Sequence, residues 1–362
     1  MLALSSSRVI EFNSRLSKWR MRFGTGSRIF TDNNLATKFT AVDNNISAPR
    51  RGYLDWSDQV IDSYEELVTY VPDNPDVETL CGDASELTDR WEEGSVDVAV
   101  VDPPYYSSIQ YSELSDVFYT VLKRYLDDVH PSLFTSQLAE KEEEAVANPS
   151  RFEGVAGDGL SEKEMADNKY ENKMKEIFQD IHKLLCDDGV ITLMFTHREM
   201  DAWDTLATAF IESGFNITAT HPIKTERSDR VGLQGKASAD SSIFLTGRRQ
   251  SENKETSETL WGDIKGKIRA AAENEARKII NSDYEVSKVD AIITAYGPVL
   301  QAYAEEYPVI DKKGERVRPR EALAEARETV TEIIAEKYLQ TECSFKRSLA
   351  SFSAQLDRAD VV

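Results

Sequence analysis

The sequence predicts an α/β protein, with a mostly parallel, doubly wound sheet followed by a helical unit. Two observations predict it. Between residues 77 and 247, short apolar segments of strand length alternate with segments whose apolar residues recur every three or four positions. Beyond a polar linker at 251–256 (SENKET), only the helical period remains.

The elements follow in chain order. Residues 1–20 read as a helix, with Leu2, Val9, Ile10, Phe12 and Leu16 on one face, and 21–55 are irregular. Residues 57–71 predict a helix with Ser57 as its N-cap. Strands are expected at 77–82 (VETLCG) and 96–101 (VDVAVV). A helix at 112–126 carries the stripe Leu114, Val117, Phe118, Val121, Leu122 and Tyr125. Residues 127–160 are acidic and aperiodic, which marks a surface insertion, and Ser161 and Glu164 have the spacing of a capping box. A helix at about 170–186 turns Met174, Ile177, Phe178, Ile181, Leu184 and Leu185 inward. The continuous apolar run 189–196 predicts a buried strand. Helix 200–213 leads through Gly214 to strands at 215–221 and 241–247, close enough in sequence to pair as an antiparallel edge. Helices at about 258–280, 286–305 and 318–340 complete the chain, with a small hairpin and Lys-Gly turn at 306–318. The expected domains are an N-terminal segment 1–75, a catalytic domain 76–250 with an acidic insertion at 127–169, and a helical domain 257–362.

Composition narrows the class. With 362 residues, 40% hydrophobic and 30% charged, the chain can bury one large core plus an appended unit. No run of about 18 apolar residues is present, so no transmembrane helix and no membrane partner are expected. The N-terminus lacks the order of a signal peptide, and a cytoplasmic location is the expectation. The three cysteines are far apart and the four histidines form no ligand pattern, so no metal is expected. The net charge of −21 opposes simple binding to nucleic acid, whose phosphates need a basic surface. Acidic surfaces of this kind are also general in proteins adapted to high salt, where DNA-binding proteins keep local basic patches.

The chemistry concentrates in Asp102-Pro103-Pro104-Tyr105, which ends the strand 96–101. The carboxyl ends of strands line the ligand crevice of open α/β sheets. An exocyclic base amine is a poor nucleophile because its lone pair is delocalised into the ring. Two acceptors aimed at its hydrogens draw it toward tetrahedral geometry and stabilise the positive charge that grows as a methyl group arrives. The Asp102 carboxylate and Pro103 carbonyl have the required character, and Pro103 and Pro104 stiffen the backbone that holds them. Tyr105 can stack on a base swung out of a duplex, and Tyr106 beside it is a further substrate-binding candidate. The competing reading is a stiff turn after a strand. His197 and Arg198 follow the strand 189–196 and would lie on the same rim as Asp102, with a solvent-facing loop as the alternative. Arg227 and Arg230 fall in a local basic stretch, 225–236, that could track a phosphate backbone or face the target base, or else be a solvated loop.

These strings resemble the prokaryotic adenine-specific DNA methylase family whose full-length members carry an N-terminal DUF1156 region. The resemblance lies in DPPYYSSIQYSELSDVFY (102–119), GVITLMFTHREMDAW (189–203), the run from HPIKTERSDR to SSIFLTGRR (221–249) and AYGPVLQAYAEEYPVIDKKGERV (295–317). It implies a Rossmann-like, S-adenosylmethionine-dependent methyltransferase sheet and methyl transfer to N6 of adenine in DNA. Cytosine N4 enzymes more often place Ser before Pro-Pro, and enzymes acting on RNA or protein amides commonly place Asn there. The resemblance also implies that Asp83, with Ala84 beside it, meets the cofactor's adenine amine and that Asp102 borders the cofactor, a helix N-cap being the alternative for Asp83.

The sequence departs from the family in one respect. Family members bind the cofactor through a Gly-rich turn, Asp-Pro-Phe-x-Gly-x-Gly, well upstream of the catalytic strand. No such turn is present here; the internal candidate is Phe23-Gly24-Thr25-Gly26 with Asp43 about twenty residues on. The expectation is therefore the C-terminal half of a split or truncated methyltransferase, its sheet incomplete at the N-terminal side. It would be completed by a second chain that supplies the Gly-rich half. The alternative is a catalytically inactive DNA-binding or assembly subunit of a modification or defence system.

Overall fold

The computed structural model describes residues 1–14, 17, 19–21, 25–26, 29–31, 34–35, 45–71, 76–155, 159–224, 241–250, 257–281 and 287–337. They divide into two compact units, one of residues 1–83 and 109–144, the other of 84–108 and 145 onward. Among the described residues no helix is long and apolar enough to cross a membrane.

The first unit holds α1 (Leu2–Phe12), four two-residue strands β1 (Trp19–Arg20), β2 (Thr25–Gly26), β3 (Phe30–Thr31) and β4 (Asn34–Leu35), α2 (Tyr53–Tyr70) and α3 (Tyr111–Leu126). Phe12 of α1 stacks on Trp56 of α2, with ring centroids 5.1 Å apart, and the Arg8 guanidinium lies 4.7 Å from the Trp56 ring. The helix expected from Ser57 begins earlier, at Tyr53 behind Gly52. Ser57 instead lies inside it and donates to the Tyr53 carbonyl. The segment 77–82 is not a strand. Its β-branched composition suits one, but a strand needs a ladder, and among the described residues none pairs with it.

The second unit is built on β5 (Val96–Val101), β6 (Leu185–Phe195), β7 (Phe215–Lys224) and β8 (Ser241–Arg249), in the order β5-β6-β8-β7. β5 pairs parallel with β6, whereas β8 is antiparallel to both β6 and β7. Three strands run one way and β8 is inserted between β6 and β7 against them, so the sheet is mixed, with one parallel and two antiparallel pairings, where the sequence predicts a mostly parallel one. The expected antiparallel pair exists, with β7 rather than β8 at the edge.

Two helices frame this sheet. α4 (Glu162–Leu184) starts with the capping box: the Ser161 side chain accepts from the Glu164 backbone N–H while the Glu164 carboxylate accepts from Ser161. It therefore begins about two turns before the predicted residue 170. α5 (Met200–Glu212) joins β6 to β7. Ile191, Leu193, Phe195, Ile243 and Leu245 form one buried cluster with Met174 and Phe178 of α4 and Trp203 and Phe210 of α5. Burial alternates along β6, so the continuous apolar run is a strand buried on one side. The opposite face leaves Val98 and Val100 exposed at 60% and 76%. A doubly wound sheet covers both faces; here the crossover helix α4 lies on one, and no strand–helix pair precedes β5 within this unit.

The helices after the linker are α6 (Trp261–Ile280), preceded by β9 (Thr259–Leu260), then α7 (Lys288–Glu305), β10 (Val309–Ile310) and α8 (319–337). The expected hairpin is present: Ile310 bridges Arg316, and Gly314 turns the chain at φ 83°. α7 lies on the sheet, where Tyr296 meets Trp203 at 5.8 Å between ring centroids. Tyr296, Val299 and Leu300 belong to the same buried cluster as β6 and β8.

Candidate active site

Because β5 and β6 are parallel, the residues that follow them leave the sheet at the same end. Residues 102–106 follow β5 there, and 196–199 follow β6. Tyr105 packs edge-on against Phe195, the last residue of β6, at 5.6 Å, and Tyr106 packs edge-on against His197 at 5.4 Å. The sequence-predicted residues Asp102, Pro103, Pro104, Tyr105, Tyr106, His197 and Arg198 are thus brought to one rim.

Their environments divide them. Asp102 is exposed, and no described residue hydrogen-bonds or ion-pairs with it. Pro103 is buried, yet no described donor reaches its carbonyl. The Pro104 carbonyl is doubly engaged: it accepts from the Tyr106 N–H at 2.9 Å and from the Tyr170 hydroxyl at 3.1 Å. Of these three acceptors, the Asp102 carboxylate and the Pro103 carbonyl have no described partner and the Pro104 carbonyl has two.

Tyr106 anchors this loop. It is 2% exposed and sits at φ 54°, a left-handed conformation that disfavours a bulky side chain. Its hydroxyl donates to Asp167 of α4, its ring meets Tyr170 edge-on at 5.5 Å, and its carbonyl accepts from Ala147 N–H at 3.2 Å. Burial, followed by the bond to Asp167, pushes the phenol far above its ordinary range. Burial also raises the Asp167 carboxyl, against the opposing pull of Tyr106 and Lys163. Tyr106 therefore holds the loop from behind, and its ring is buried where a substrate-binding residue would need to be accessible. Tyr105 is only half-buried.

His197 is half-buried and also turned to structural use. Its Nδ1 accepts from the Glu199 N–H at 3.0 Å and its carbonyl accepts from the Trp203 indole at 2.8 Å, while burial lowers its pKa. Arg198 beside it is exposed. Arg227 and Arg230 lie outside the described residues.

The cofactor expectations fare differently. Asp83 and Ala84 follow no strand, since 77–82 is irregular, so the placement on which their role depended is absent. Of the internal glycine candidate, Phe23, Gly24 and Asp43 lie outside the described residues, and Thr25–Gly26 pairs antiparallel with Trp19–Arg20. That is a hairpin, and a phosphate- or adenosine-binding turn instead connects a strand to a helix. Among the described residues no Gly-rich turn joins a strand to a helix. Nor does any cluster of metal-ligating side chains occur among them.

Asp167 and Tyr170 are not singled out by the sequence. The available signal is the capping box at Ser161, which starts α4 early enough to place both on consecutive turns.

No protein-family model matches the chain, and no curated protein matches it. Three solved structures align with it, all of a Thermus thermophilus protein assigned as a DNA modification methylase; one is a selenomethionine derivative and one a complex with S-adenosyl-L-methionine. Each is 11% identical over 64% of this chain and 76% of the other, with TM-scores of 0.24, 0.26 and 0.25. Likeness at that level carries no weight for function.

Proposed function

We propose that this chain carries the substrate-amine half of a DNA methyltransferase, acting on N6 of adenine. The observation that supports this reading is the state of the three acceptors. An exposed, unpaired carboxylate and an unclaimed carbonyl sit side by side at the carboxyl end of β5, on a loop made rigid by two prolines and the Tyr106 anchor. The Asp102 carboxylate accepts one amine hydrogen and the Pro103 carbonyl the other, which localises the nitrogen lone pair. The half-buried Tyr105 ring lies beside them, where a base could stack on it. This is positioning and charge stabilisation, with no covalent enzyme intermediate.

S-Adenosylmethionine would supply the electrophilic methyl group. With no Gly-rich strand-to-helix turn among the described residues, the reading assigns the adenosine cradle to a second polypeptide. Adenine is favoured over cytosine because an aspartate, rather than a serine, precedes the two prolines.

Calorimetry and methyl incorporation test the proposal together. The chain alone should bind S-adenosylmethionine weakly or not at all. With the complementary half it should transfer methyl groups to unmodified DNA, and Asp102→Asn should reduce transfer by a factor of at least about a hundred while leaving the fold intact. Tight cofactor binding by the isolated chain would remove the two-chain part. Full activity of Asp102→Asn would remove the catalytic part and leave a non-catalytic assembly subunit as the reading.

A further inference from the structure

The two prolines create a problem of choice that the structure addresses. Asp102-Pro103-Pro104 ends in two successive carbonyls, either of which could accept from a bound amine. A loop that let both compete would hold the amine in two registers and orient it poorly.

We propose that Tyr170 on α4 is a positioning residue that occupies the Pro104 carbonyl, so that the Pro103 carbonyl alone is presented to the target amine. The proposal rests on the methyltransferase reading above. Its geometry stands on four contacts, all within one compact unit. The Tyr170 hydroxyl donates to the Pro104 carbonyl at 3.1 Å. The Tyr106 N–H donates to the same oxygen at 2.9 Å, which fills both lone pairs. One turn earlier on α4, Asp167 accepts from the Tyr106 hydroxyl and fixes that residue in its left-handed conformation. The Tyr170 and Tyr106 rings meet edge-on at 5.5 Å. Tyr170 is fully buried, so its hydroxyl is not shared with solvent and its direction is set by packing.

The role differs from stability alone. α4 has a capping box and a long apolar face to hold it on the sheet without the Tyr170 hydroxyl. What the hydroxyl adds is the orientation of one peptide unit in the loop that carries the acceptors.

The test compares Tyr170→Phe, which keeps the ring, with Ser161→Ala, which weakens α4 at its cap and leaves the loop alone. Hydrogen exchange at the Tyr106 and Ser108 amides reads the loop directly. Exchange there should quicken about fivefold in Tyr170→Phe, the effect of one buried hydrogen bond, beyond any global change seen in Ser161→Ala. In the reconstituted enzyme, Tyr170→Phe should lower kcat with KM for DNA unchanged. Unaltered exchange overturns the proposal whatever the activity. Faster exchange with wild-type kcat also overturns it. Absence of methyl transfer in the wild-type complex overturns the methyltransferase reading and the positioning role with it; the exchange result then says only that the hydroxyl braces the loop.

Discussion

At the scale of single residues, the site is a set of polar groups sorted by whether a partner is provided. Tyr106 shows the sorting most clearly, because its backbone conformation is unfavourable by about 1 kcal/mol or more for a bulky side chain and is offset by bonds from its hydroxyl, amide and carbonyl. Tyr106→Phe leaves the raised Asp167 carboxyl without its donor, so the variant should lose about 1–2 kcal/mol in urea unfolding at pH 7. The sign with pH follows from Asp167. Its folded pKa lies above the ordinary value of 3.8, so its contribution is fully present below that value and is lost as pH rises through the folded one. Removing the donor that lowers this pKa raises it further, and the deficit of Tyr106→Phe should therefore be smaller at pH 4 than at pH 7. A deficit independent of pH across that range would assign it to packing. Sequence singles out Asp102 and Pro103, whose order carries chemistry by itself. It does not tell Tyr106 from Tyr105, since two adjacent tyrosines look alike until the left-handed turn sends one inward.

At the scale of elements, legibility follows the reach of the signal. β5 is legible to the residue because VDVAVV is short, apolar and bounded by Ser95 and by a proline after Asp102. The first turns of α4 escape a reading by period because EKEMADNK is almost wholly polar, and only the cap at Ser161 announces it. The segment 77–82 misleads because a strand is a pairing, and composition says nothing of a missing neighbour. Close contact between elements is similarly silent in sequence. Gly247 of β8 is an instance: a Cβ there would stand 2.5 Å from the Phe210 ring of α5. Phe210 is itself held between Phe178, edge-on at 5.2 Å, and Phe215, stacked at 5.0 Å, so it has little room to give. Gly247→Ala should cost about 1–3 kcal/mol through overpacking. Thermal unfolding of Gly247→Ala against Gly262→Ala, where nothing lies near the added carbon, isolates the effect, and equal midpoints would mean that α5 shifts freely on the sheet.

At the scale of the molecule, the polar stretch 251–256 and the change of period after it point to an independent helical unit. Those signals report where the chain changes character but not what the later helices pack on. Arg318, just before α8, joins the two helices that frame the sheet: its guanidinium donates to Asp204 of α5 at 2.8 Å and to Glu171 of α4 at 2.6 Å. Arg320 repeats the pattern, with its N–H on Asp204 at 2.8 Å and its guanidinium on Asp201 at 2.6 Å. Asp204 is buried, so it needs these donors more than an exposed carboxylate would. Beneath them, Tyr296 on Trp203 continues the apolar cluster from β6 into α7. Helices 261–337 should therefore open together with β6 and β8 as one cooperative unit in native-state hydrogen exchange. Arg318→Ala should lower the opening free energy of α7 and β6 amides by the same amount, about 1–2 kcal/mol, because the guanidinium is half-exposed and its ion pairs are partly screened. A drop confined to α7 would mean that the helices unfold from a sheet that stands without them. In that case the rim carrying Asp102 would owe its rigidity to α4 and α5 alone.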